Sequence, residues 1–119
     1  MNLFDQKAQQ HGMGNMYYIT DTSRNGVTNE RGNCSNWCNI KGAGLGMRPT
    51  TEVSSLGFNK LDAVTWIKTP GESDGTTDTS GRFDPMCRSS DSQIPAPEAG
   101  EWFEDFFVTL VNNAQPPIS

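Results

Sequence analysis

Apolar side chains gather in four short groups along an otherwise polar chain, and each group predicts one element. Leu3 to Gln10 reads as the last turns of a helix, ended by His11-Gly12 as a C-cap. Met16-Tyr17-Tyr18-Ile19 predicts a buried strand running into the turn formers Thr20 to Gly26. Leu61 to Ile67 predicts a second strand, whose apolar run Ala63 to Ile67 stops at Pro70-Gly71. Last, Pro97-Glu98 opens a helix on which Trp102, Phe103, Phe106, Phe107, Leu110 and Val111 recur as adjacent pairs four apart. They make one broad apolar face, and Pro116-Pro117 ends the helix. Trp66 and Trp102 follow the strand and helix patterns, which assigns both to the core.

Between these groups lie two long irregular stretches, from Gly26 to Thr51 and from Thr69 to Pro97, rich in Gly, Asn, Asp, Ser, Thr and Pro. Stretches of that length are functional loops or disorder. Four aromatics on one helix also demand a large partner surface, because each buries about 150–250 Å². Two short strands and a few helical turns hardly cover it, so the chain reads as part of a larger body.

Charge changes the picture at one place. Directly after the second strand come Lys68, Glu72 and Asp74, on a loop of turn formers. Charged groups beyond the C-terminal end of a strand stand where α/β enzymes place their chemistry. A solvated acidic turn has the same composition and, on composition alone, ranks ahead of a site. The Asp21-Thr22-Ser23-Arg24-Asn25 segment also lies just past a strand end, where Arg24 can pair with a carboxylate or Asp21 can simply form a turn.

Composition narrows the class. A chain of 119 residues suffices for one modest domain but not for a complete β/α barrel of about 250. A net charge of −5 disfavours nucleic acid as a partner, since phosphate binding needs a basic face. No apolar run approaches the length of a membrane span, which argues against a membrane partner. Hydrophobic residues make up 34%, and the 12 glycines bring the chain near the usual apolar share, so it is loop-rich rather than disordered. The N-terminus lacks the charged and apolar regions of a signal peptide. Three cysteines, Cys34, Cys38 and Cys87, leave at least one unpaired within the chain. A zinc site ranks below a disulfide: the sole histidine, His11, sits in a helix cap, and Cys34-x3-Cys38 is weak metal spacing.

Four blocks in order carry a resemblance. They are Ile19 to Gly26 (ITDTSRNG), Asn36 to Pro49 (NWCNIKGAGLGMRP), Trp66 to Gly75 continuing through Arg82-Phe83-Asp84 to Cys87, and Pro95 to Phe103 with Asn113-Ala114. In these blocks the chain resembles the C-terminal part of glycoside hydrolase family 6, in particular the fungal secreted cellobiohydrolases of type II. The resemblance spans nearly all of residues 1–119 and makes them one piece of a catalytic domain, an α/β segment from the C-terminal part of a distorted β/α (TIM-like) barrel. It implies inverting hydrolysis of β-1,4-glucan, with cellulose or a cello-oligosaccharide as partner. It also implies no metal or organic cofactor, an extracellular location, and an intact enzyme that is a monomer. Inversion needs one carboxylic acid as proton donor and a second carboxylate as base, about 6.5–9.5 Å apart. The family's proton donor belongs ahead of Met1, so the isolated chain is expected to lack it.

The resemblance also assigns roles. Asp74 matches the candidate catalytic base, and Lys68 and Glu72 match positions that bind the sugar next to the scissile bond. Trp37 matches a sugar-stacking tryptophan; its other reading is an indole packed against a neighbouring disulfide. Asp21 and Arg24 become active-site scaffolding. Cys38 and Cys87 match a family disulfide that braces the long C-terminal loop, closing roughly 50 residues for about 4 kcal/mol on the chain-entropy view. Retention of that loop favours attack at chain ends. Cys34 departs from the pattern, as a free thiol or a competitor for pairing, and Asn33-Cys34-Ser35 satisfies the N-glycosylation pattern. Two other classes stay open: a non-catalytic or vestigial carbohydrate-binding fragment, and a small disulfide-stabilised interaction protein.

Overall fold

The computed structural model describes residues 3–118. Helix α1 (Leu3–Gln10) comes first, then strand β1 (Tyr18–Asp21), strand β2 (Leu61–Thr65) and helix α2 (Glu104–Asn112). Two short 3₁₀ turns, Ser54–Leu56 and Pro85–Arg88, interrupt the long loops. The α1 terminus follows from its sequence. Gly12 sits at φ +73°, where a side chain would be strained. Its N–H reaches the Gln9 carbonyl at 3.1 Å while that of Met13 reaches Ala8 at 2.7 Å, the paired bonds of a Schellman cap.

β1 and β2 pair in parallel, with Ile19 opposite Ala63 and Asp21 opposite Thr65, so their C-terminal ends lie side by side. The strands differ from the expected ranges. β1 starts two residues late and runs through Thr20-Asp21, because backbone pairing to β2 carries it past the apolar run. Nor is the Met16–Ile19 run buried: Met16, Tyr17 and Ile19 are all open to solvent. Among the described residues β1 has one neighbouring strand, so its second edge is unpaired. β2 ends at Thr65, leaving Ile67 exposed beyond it.

Two apolar clusters hold the segment together. The larger joins Phe103, Phe106, Leu110 and Ala114 to Ala43, Leu45 and Ala96, with Trp66 half-buried against it. Backbone bonds close its far end, from Leu45 N–H to the Leu110 carbonyl (3.0 Å) and from Gln115 N–H to the Leu45 carbonyl (2.8 Å). The smaller cluster packs Val53 with Leu61 and Val64 of β2. α2 begins at Glu104, not at Pro97-Glu98. Residues 100–103 instead pair with the loop before Asp74: Phe103 N–H to the Gly71 carbonyl, Ser73 N–H to Glu101, and Gly100 N–H to Ser73. That pairing leaves Trp102 half exposed rather than in the core, its ring 4.7 Å from Phe107.

Candidate active site

The side-by-side strand ends deliver Asp21 and the Lys68–Asp74 loop to one place. Asp21, the last residue of β1, accepts hydrogen bonds from Ser23 N–H (2.9 Å) and Lys68 N–H (3.1 Å), tying the two loops together. Partial burial would raise its pKa. The Ser23, Lys68 and Ile67 hydrogen bonds outweigh that and hold the carboxyl below its ordinary value.

Arg24 is the centre of the arrangement. Its Nε and Nη2 donate to the Pro70 carbonyl at 3.0 and 2.8 Å, and Nη2 also donates to the Glu72 carbonyl. Nη1 bonds both carboxylate oxygens of Asp74, at 2.8 and 2.7 Å. The guanidinium thus makes five hydrogen bonds, and it lies 4.7 Å above the centre of the buried Phe106 ring. One face rests on the core and the edge fixes the loop.

Asp74 is held from three sides. Besides Arg24, its Oδ2 accepts the backbone N–H of Asn39 at 2.9 Å, and its Oδ1 lies 3.3 Å from Lys68 Nζ. Lys68 also faces Glu72 at 3.7 Å, and both of these side chains are more open than that of Asp74. The structure therefore brings Asp21, Arg24, Lys68, Glu72 and Asp74 into one cluster. Trp37 is half exposed on a cleft of about 460 Å³ that Arg24, Ile40 and Phe106 also line. Arg24 is the wall shared between that cleft and Asp74. The Trp37 indole is half open to solvent rather than buried.

Sequence reasoning missed Asn39. It is fully buried and left-handed (φ +45°), and it latches Asp74 reciprocally: its Oδ1 accepts Asp74 N–H at 2.8 Å while its own N–H holds the carboxylate. Its Nδ2 donates to the Gly75 carbonyl at 3.1 Å. The available signal was its type, since asparagine is among the few residues that adopt this backbone region readily. Its neighbour Cys38 is bonded to Cys87 (S–S 2.03 Å), and both are fully buried. A Cβ on Gly75 would lie 2.6 Å from Cys87 Sγ, so the loop after Asp74 can press against the bridge only as glycine. Asp84 caps the 3₁₀ turn that carries Cys87, accepting Met86 N–H at 2.8 Å. Cys34 is unpaired and exposed.

The family model described as glycosyl hydrolases family 6 matches residues 1–114. The chain belongs to that family. Exoglucanase 3 of Agaricus bisporus is 50% identical over 103 residues, covering 86% of this chain and 23% of that protein. The 1,4-beta-D-glucan cellobiohydrolase CEL6C of Podospora anserina is 42% identical over 119 residues, 99% of this chain and 29% of its own length. Among solved structures, the CcCel6A catalytic domain complexed with p-nitrophenyl beta-D-cellotrioside superposes with a TM-score of 0.84 at 49% identity, over 93% of this chain and 30% of that one. The family 6 chain thus spans less than a third of the relatives it matches.

Proposed function

We propose that this segment supplies the base side and the sugar-binding edge of an inverting β-1,4-glucan hydrolase of the cellobiohydrolase type, acting outside the cell on cellulose or cello-oligosaccharides. The observation that carries the reading is the fixation of Asp74: one carboxylate, held by Arg24, Asn39 and Lys68 at the C-terminal end of a parallel strand pair. A carboxylate so oriented can accept a proton from a water attacking the anomeric carbon. Lys68 is its most exposed partner, with its side chain 33% open. On this reading it turns to a sugar hydroxyl when substrate arrives and frees Oδ1, while Glu72 accepts from a second hydroxyl. Trp37 offers its face to the apolar C–H side of a glucose ring across the cleft.

The proton donor belongs, on this reading, to the N-terminal part of the family's domain. No metal or organic cofactor enters, because the reaction moves protons between carboxyl groups and water. The intact enzyme acts as a monomer. The loop from Thr76 to Pro97, pinned at Cys87 and bonded to itself between Thr77 and Ala96, supports attack at chain ends.

The test uses the purified 119-residue chain and a fusion of it to the N-terminal part of a family 6 domain. With cellohexaose, the chain alone is expected to generate no new reducing ends, whereas the fusion releases cellobiose. Asp74→Ala in the fusion is expected to lower kcat by about 10²–10⁴-fold. Full activity of the Asp74→Ala fusion would overturn the assignment. A second reading, a fragment that binds glucan without cleaving it, is favoured only by the openness of Trp37; it predicts a Trp37-dependent fluorescence change with cellohexaose and an inert fusion.

A further inference from the structure

The chain holds one Asn-x-Ser/Thr sequence, Asn33-Cys34-Ser35, and the structure places it on an exposed turn beside the cleft. We propose that Asn33 is an N-glycosylation site, carrying an oligosaccharide on Nδ2. The inference rests on the extracellular location proposed above, but its main support is local geometry.

Asn33, Cys34 and Ser35 are all exposed, and Asn36 N–H closes the turn onto the Asn33 carbonyl at 3.0 Å. Asn33 Oδ1 accepts both Ser35 N–H (2.9 Å) and Ser35 Oγ (2.8 Å). A backbone N–H can only donate, so the amide oxygen must face Ser35, and Nδ2 is left on the other side. It makes no hydrogen bond among the described residues. The folded turn therefore presents the nitrogen outward and the hydroxyl beside its amide.

The loop is anchored by other atoms. Gly32 N–H (2.8 Å), Asn33 N–H (3.3 Å) and Asn36 Nδ2 (2.7 Å) converge on Asp91 Oδ2. Arg31 donates to the Asn36 carbonyl at 3.0 Å. None of these contacts uses Asn33 Nδ2, so substitution there breaks no bond that holds the turn. In the transfer, Nδ2 bonds to the anomeric carbon of an oligosaccharide carried on a lipid pyrophosphate. The bond from that carbon to the pyrophosphate oxygen breaks, the lipid pyrophosphate leaves, and the amide proton passes to a base of the transferase. Arg31 and Trp37, which flank the turn, line the cleft, so the glycan stands at its edge and beside the exposed Cys34 thiol.

The test expresses the full chain behind a cleavable leader in a eukaryotic secretory host, where the route outward is supplied and only the site is in question. Expected is a glycan removed by peptide N-glycosidase with conversion of Asn33 to aspartate, in molecules whose Cys38–Cys87 bridge is intact by non-reducing peptide mapping. Asn33→Gln and Ser35→Ala should both lose the glycan, whereas Ser35→Thr and Cys34→Ala should keep it. An unmodified Asn33 in the secreted chain overturns the proposal, given a co-expressed control glycoprotein that is processed. A glycan confined to molecules lacking the bridge overturns it as well, because the folded turn would then not accommodate it.

Discussion

At the scale of single residues, the cluster depends on a side chain that touches no solvent. Asn39→Ala removes the acceptor of Asp74 N–H and puts a methyl-bearing residue at φ +45°. An orphaned N–H costs about 1–3 kcal/mol and a left-handed alanine about another 1, so a loss of about 2–4 kcal/mol is expected from urea unfolding. Asn39→Gly should recover the backbone share and not the rest, which separates strain from the lost hydrogen bond. Equal losses for the two variants would show that φ is irrelevant here. Asp91 offers a pH test. The Asn36 amide, against some desolvation and with the Asn33 and Gly32 N–H groups and the charge of Lys41, holds its carboxyl below the ordinary 3.8. A depressed folded value means that its contribution is fully present above about pH 5 and fades as pH falls below 3.8 through the folded value. Amide hydrogen exchange at Gly32 and Asn33, corrected for intrinsic rates, should therefore accelerate on acidification over that window. In Asp91→Asn that step should vanish.

At the scale of elements, the outcome shows what apolar pattern can and cannot say. α1 and its glycine cap were legible because both are local: eight residues of one type of contact, closed by hydrogen bonds within the same turn. The start of α2 was not. Pro97 and Glu98 look like a helix opening, but residues 100–103 are claimed by the Gly71–Ser73 loop, and a tertiary pairing outweighs propensity. Trp102 then falls outside the helix and loses the burial its periodicity implied. The charged loop was legible as a group of residues, whereas its geometry was not, because Arg24 and Asp74 are 50 positions apart and meet only through the parallel pairing of β1 and β2. Within α2 the decisive side chain is Phe106, fully buried and beneath the Arg24 guanidinium. Phe106→Ala is expected to cost about 3–5 kcal/mol, and to loosen Arg24 as well, since the ring is the floor on which it lies. Near-UV circular dichroism and the urea midpoint check the first effect. Phe106→Leu, which keeps most of the volume but not the π face, should cost less and isolates the cation–π share.

At the scale of the whole molecule, the described chain is too spread out for its length. Its radius of gyration is 16.4 Å, against about 13–14 Å for a compact domain of this size. Its dimensions, 48 × 37 × 24 Å, are those of a slab. The reason lies in how the apolar surface is distributed. Tyr17, Ile19, Phe58 and Ile67 stay exposed around a two-stranded sheet whose β1 edge has no second neighbour among the described residues, and parallel sheets are ordinarily covered on both faces. Such a surface needs a partner, and the family 6 relatives, of whose length this chain spans less than a third, contain further chain to cover it. The 119-residue chain alone should therefore bind a hydrophobic dye and associate at micromolar concentration, because an open strand edge and apolar patches pair with whatever is available. Fusion to the N-terminal part of a family 6 domain should suppress both behaviours in sedimentation and fluorescence measurements. A chain that instead stays monomeric, dye-free and near 13–14 Å by small-angle scattering would mean that these surfaces fold in on themselves. The segment would then be a self-sufficient domain rather than one side of a larger body.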